Sequence, residues 1–231
     1  MRIAVDGNIA SGKSTVVRDI DVGNGGNGGN VGNGGNGGNG GNGGNDTHVA
    51  HEEPVHEWIF LDKFYADKRA YAFPFSLEVL ASFASFTDTT GTTITERSPL
   101  TNREVFTKMH ANDGTISEDE FALYKRVYDA IGWTPDAIVF IRTPARVCHD
   151  RMIRRGRPCE MDVGIEYLER IEKSYDTLLR FAHVPVAIID GTQSPPDVLR
   201  DVRAALHAFE RTHHAASHAR EDTIFLSLPC L

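Results

Sequence analysis

Apolar and polar positions follow two alternating periods along this chain. Short apolar or β-branched runs at Ile3–Asp6, Thr47–Glu52, Thr92–Thr95, Ala137–Arg142 and Val184–Asp190 are of strand length and predict strands. Between them, apolar residues recur every three or four positions in Phe75–Phe86, Ser117–Ile131, Pro144–Arg154, Gly164–Arg180 and Pro195–Thr212, which predicts amphipathic helices. Ser117 and Glu120 are spaced as a capping box, and Pro195 with Pro196 suits a first helical turn. Strand alternating with helix predicts an α/β fold, a parallel sheet covered by helices on both faces. Such sheets collect ligands beyond the carboxyl ends of their strands, so the loops that follow the strands are where chemistry is expected.

One segment has neither period. Residues 23–45 are glycine and asparagine with a single valine, so they offer no apolar face and read as a flexible insertion. Without it roughly two hundred residues remain, enough to cover a sheet on both sides. The expected organisation is one domain over residues 1–212, interrupted by 23–45 and followed by a polar, mobile tail over 213–231. A formal net charge of −8 argues against a general nucleic-acid coat. Cys148, Cys159 and Cys230 are odd in number and lack a C-x-x-C spacing, which predicts reduced thiols. No stretch is apolar enough to span a bilayer, and a first strand beginning beside Met1 leads to the expectation of no secretory or transit leader. The expectation is a cytoplasmic or nuclear protein with neither a membrane nor a nucleic-acid polymer as partner.

The loop after the first strand carries the strongest signal. Gly7 through Ser14 fit G-x-x-x-x-G-K-[ST], between a strand and a predicted helix. Gly7 and Gly12 allow backbone N–H groups to turn inward around an anion, with Asn8, Ala10, Ser11 and Thr15 completing the loop, and Lys13 reaches the outer phosphates. Ser14 is a candidate Mg²⁺ ligand, so a nucleoside triphosphate such as ATP is the expected donor.

Charge gathers at the other strand ends. Glu53, after the second strand, is placed to accept a proton from an attacking hydroxyl. Glu96 and Arg97 end the third strand, the first suited to hold Mg²⁺ through water, the second to neutralise a transferring phosphoryl group. Arg151, Arg155 and Arg157 lie at a helix end and in the loop beyond it; they read either as a solvated basic helix end or as groups that close over phosphates. His48, His51 and His56 fall beside a strand without nearby thiols and make a poor zinc set. Phe121, Tyr124, Tyr128 and Ile131 have helical spacing and read as core or subunit contact.

Five segments in order, "GNIASGKST", "EEPVHEW", "FYADKRAYAFPF", "TERSPLTNREVF" and "RMIRRGRPCE", resemble the cellular-type deoxynucleoside kinases. The resemblance implies a P-loop kinase fold, a three-layer sandwich with a five-stranded parallel sheet flanked by helices and an arginine-rich lid, in a homodimer that uses Mg²⁺ and ATP. It implies Glu53 as base for the 5′-hydroxyl, Tyr65 and Glu160 on the 3′-hydroxyl, and Trp58, Phe75 and Phe106 around the base. Arg151, Arg155 and Arg157 would form the lid. The family's base-pairing glutamine falls at Ser76, Tyr71 occupies a tryptophan position, and the charged base-facing positions fall at Val79, Phe83 and Asn102. Loss of that charge implies thymidine or another pyrimidine as preferred acceptor in nucleotide salvage. A thymidylate-type monophosphate kinase is the alternative enzyme, disfavoured by acids rather than an arginine in "EEPVHEW"; a non-catalytic nucleotide-binding regulator is the alternative outside enzymology.

Overall fold

The computed structural model describes residues 1–22, 48–86 and 91–225; the 23–45 insertion and residues 226–231 lie outside the described residues. Five strands, β1 (Arg2–Gly7), β2 (His48–His51), β3 (Thr92–Glu96), β4 (Ala137–Arg142) and β5 (Val186–Asp190), form one sheet in the order β2-β3-β1-β4-β5. All four pairings are parallel, with Val5 opposite Glu96 on one side and Val139 on the other. The helices are α1 (Lys13–Val22), α2 (Leu61–Ala66), α3 (Lys68–Ala84), α4 (Pro99–Thr101), α5 (Lys108–Asn112), α6 (Glu118–Ile131), α7 (Ala145–Arg155), α8 (Ile165–Arg180) and α9 (Pro195–Phe225). A π-helical segment, Asn102–Thr107, joins α4 to α5.

The period of two in the strands sends alternate side chains to two cores. Ile3, Val5, Val139, Ile141 and Ile189 pack with Val16, Val17 and Ile20 of α1 and Val198, Val202 and Leu206 of α9. Ala4, Ile138 and Phe140 pack on the other face with α7, α8 and α5, through Cys148, Met152, Leu168, Ile171, Tyr175 and Met109. Burial on both faces explains why the central strands β1 and β4 read as continuous apolar runs. The expected three layers are present.

Some boundaries differ. The capping box at Ser117 and Glu120 forms as expected. Helix α3 starts at Lys68 rather than at Phe75, because the Asp67 side chain accepts from Ala70 N and the helix runs on through Pro74. Helix α9 continues past Thr212 to Phe225, so the expected tail is helical as far as that residue; residues 213–225 contain no glycine or proline to end it. Helix α2 has too few residues for a visible helical period.

Candidate active site

One cavity of about 710 Å³ opens along the carboxyl ends of β1, β2 and β3, reaching from the phosphate loop to the wall of α3. At the donor end, Gly7 has φ of 150° and a Cβ there would lie 2.6 Å from Ser11 Oγ and 2.7 Å from the Ile141 carbonyl, so only glycine fits. Gly12 at φ 110° and Ala10 at φ 59° complete the left-handed turns that point the loop inward. Ile9 through Thr15 line the cavity. Lys13 Nζ donates to the Asn8 carbonyl at 2.7 Å and stands 3.9 Å from Glu96 Oε1. Burial, with Arg97 nearby, lowers the Lys13 ammonium to about 8. The Asn8 side chain turns away from the cradle: its Nδ2 donates to the Leu168 carbonyl at 2.9 Å and ties the loop to α8.

Glu53 and Arg97 meet at the centre. The Glu53 carboxylate accepts from Arg97 Nη1, and both side chains are buried. Desolvation raises the Glu53 pKa against the pull of Arg97, an environment suited to a proton acceptor. Ser14 Oγ donates to Glu96 Oε1 at 2.9 Å, beside the loop, so the expected pair of oxygen donors is assembled.

The far end of the cavity is aromatic. Trp58 meets Phe75 edge-on with centroids 5.6 Å apart, Phe64 stacks on Phe75 at 5.0 Å, and the Phe106 ring lies 4.9 Å from the Arg97 guanidinium. Tyr65, Ser76, Val79 and Asn102 also line this end, and the Asn102 amide oxygen accepts from Tyr124 Oη. Glu160 is buried and receives both Arg155 Nη2 at 2.5 Å and Arg157 Nη1 at 2.8 Å. Arg151 instead donates to the carbonyls of Ser11 at 3.3 Å and Gly191 at 3.0 Å, bracing the phosphate loop.

Phe83 is the misplaced expectation. It packs edge-on against Phe86 and Trp133, near Arg2 at the amino end of β1, and does not line the cavity. Seven residues after Ser76, it shares that residue's helix face but sits about 10 Å further along the axis, beyond the pocket. Sequence reasoning also passed over Phe64, His110, Tyr167 and Arg154, all of which line the cavity. His110 Nε2 lies 3.3 Å from Tyr167 Oη, and burial lowers its pKa to about 4, so it stays neutral. No local pattern marks His110; Arg154 sat within the basic "RMIRRGR" run and was available as a signal.

A glycine loop after the central strand of a parallel sheet, facing a buried carboxylate across a cavity with an aromatic far end, defines a P-loop phosphotransferase that acts on a small acceptor. The chain belongs to the deoxynucleoside kinase family, whose model matches residues 44–207. It is a kinase that phosphorylates deoxynucleosides. Protein 143R of Invertebrate iridescent virus 6 is 27% identical over 212 residues, 90% of this chain and 97% of that protein. The thymidine kinase of Ictalurid herpesvirus 1 is 29% identical over 208 residues, 84% of this chain and 81% of its own. A structure of deoxyadenosine kinase from M. mycoides with products dCMP and a flexible dCDP bound has a TM-score of 0.72 at 19% identity, covering 90% of this chain and 99% of that one. Among the described residues, no helix is long and apolar enough to cross a membrane.

Proposed function

We propose that the enzyme transfers the γ-phosphoryl group of ATP to the 5′-hydroxyl of a deoxynucleoside, with thymidine or another pyrimidine preferred, as a salvage step. The observation that carries this reading is the buried Glu53–Arg97 pair, which faces the phosphate loop within one cavity. Glu53 takes the proton of the 5′-hydroxyl as its oxygen bonds to the γ-phosphorus and the bond to the β-phosphate oxygen breaks. Lys13 and Arg97 face the charge that builds on the transferring group. Ser14 Oγ and the Glu96 carboxylate are oxygen donors of the kind Mg²⁺ takes. When bound, that ion would neutralise phosphate charge.

Arg155 and Arg157, both paired with Glu160, are the lid groups of this reading. Tyr65 and Glu160 would hold the 3′-hydroxyl. The pyrimidine preference rests on the uncharged inner wall of Phe75, Ser76, Val79 and Asn102. A homodimer belongs to the same reading, supported by Leu123 and Ile131 exposed on α6; a monomer in sedimentation at micromolar concentration would refute it. Labelled ATP offered with the four deoxynucleosides and their monophosphates tests the whole. Thymidine should be the best acceptor, and a purine favoured tenfold over thymidine would overturn the preference.

A further inference from the structure

Arg97 has an unusual backbone, and each nitrogen of its guanidinium makes a hydrogen bond. Its φ is 59°, left-handed for a residue with a Cβ, so something must hold it there. Its Nη1 donates to Glu53, its Nη2 reaches the Gly7 carbonyl at 3.5 Å, and its Nε donates to Tyr175 Oη at 3.3 Å. The tyrosine hydroxyl passes its own proton on, to Asp6 Oδ1 at 3.2 Å. The other oxygen of Asp6 accepts from Thr101 Oγ1 at 2.8 Å. Tyr175, Asp6 and Thr101 have no exposed surface.

The directions of these bonds follow from the groups. A guanidinium only donates, a carboxylate only accepts, and a phenol between them must accept from the first and donate to the second. The chain therefore runs one way, from Arg97 through Tyr175 to Asp6, and the guanidinium at its head strengthens the bonds that follow. Its members come from four places: Asp6 from β1, Arg97 from the end of β3, Thr101 from α4 and Tyr175 from α8. The Tyr175 ring is wedged between Phe140, at 5.1 Å, and Phe106, at 6.5 Å. Phe106 also lies against the guanidinium of Arg97, so ring and hydroxyl fix that group from two sides.

We propose that Tyr175 and Asp6 are positioning residues for phosphoryl transfer, a buried relay that holds the Arg97 guanidinium between Glu53 and the phosphate loop. Neither lines the cavity, so neither touches substrate. Their effect is to prevent Arg97 from following Glu53 or the phosphates out of register, which preserves a preorganised charge that acts at the transition state. The inference rests on the part given to Arg97 above.

The test uses Tyr175→Phe, which keeps the ring and removes only the hydroxyl, together with Thr101→Val. Three quantities are measured: kcat and KM for thymidine, the Kd for ATP, and exchange of the Arg97 Nε–H with water by NMR, the signal being assigned through its loss in Arg97→Lys. In Tyr175→Phe, kcat should fall about tenfold or more while KM and Kd stay within about threefold, and the Nε–H should exchange at least about tenfold faster. Thr101→Val should shift both readouts the same way by less, and it carries the test alone if Tyr175→Phe does not fold. Parental kcat and parental Nε–H protection in the folded variants would overturn the proposal. So would a fall in kcat matched by an equal loss of ATP binding, which marks general loosening. Full turnover by Arg97→Lys would instead bring down the reading of Arg97 itself, while the exchange measurement would still report whether Tyr175 holds that side chain.

Discussion

The glycine loop is a single stretch, Gly7–Thr15, whose cradle is made of backbone, whereas the aromatic end of the same cavity is made of side chains from the loop before α2, α2, α3, the π-helical segment, α5 and α8. The first is shaped by positive φ at Gly7, Ala10 and Gly12, set locally in the sequence. The second exists only where Trp58, Phe64, Phe75, Phe106, His110 and Tyr167 have been brought together by the packing of helices. Backbone recognition suits the phosphates, which every triphosphate shares; side-chain recognition suits the base, which differs between acceptors. Changes on the donor side should therefore act on nucleotide affinity, and changes on the acceptor side on turnover and choice of base.

The sharpest way to break that division is to substitute its two charged centres. Glu53→Gln should lower kcat about a thousandfold and leave the ATP Kd within a few-fold, while Lys13→Ala should lose both turnover and nucleotide affinity. Binding by fluorescence and turnover by labelled transfer separate the two, and substantial turnover by Glu53→Gln removes that residue as the base.

Next in size is the base. Ser76 is buried in the pocket wall and its hydroxyl is too short for a two-pronged amide contact. Ser76→Gln should sharpen the preference for thymidine over deoxycytidine about tenfold, read as a ratio of kcat/KM, with ATP binding unaltered. An unchanged ratio would place base selection elsewhere on the wall.

A pH series addresses the donor side. Because burial, then Arg97, lowers Lys13 to about 8, the empty loop loses its ammonium as pH rises through that value, and nucleotide binding must then take up a proton. The ATP Kd should be flat below pH 7.5 and rise toward about tenfold per pH unit above 8, by proton linkage. A flat Kd to pH 9.5 would show that Lys13 stays protonated in the free enzyme.

The smallest expected effect checks the relocation of Phe83. Phe83→Leu should cost about 1 kcal/mol of stability in denaturant unfolding, as a partial loss of buried aromatic surface, and change the ratio of thymidine to deoxycytidine turnover by less than about twofold. A larger change in base preference would return that residue to the pocket.

The helical period made α6, α7 and α8 legible within a residue or so, and the capping box at Ser117 marked the start of α6 outright. It misjudged α3, since Pro74 interrupts the pattern and the cap at Asp67 lies further back. Resemblance in motif order picked Ser76 and Val79, which line the cavity, but carried Phe83 two turns too far, because motif order gives a position along the helix and not the depth of the cavity beside it.

The sequence by itself determined the parallel sheet and the glycine loop that follows its first strand. Each depends on short-range rules: period of two, glycine at forced φ, lysine and serine at fixed spacing after it. Tertiary structure alone decided that Arg97 would rest on Glu53 and Tyr175 and that His110 would meet Tyr167. The pairings Arg97–Glu53, Arg97–Tyr175 and His110–Tyr167 join residues 44, 78 and 57 positions apart, and no spacing along the chain encodes which buried donor finds which acceptor. That choice is made when the sheet and helices close, and each polar group taken from water must be satisfied by whatever partner the packing has left within reach.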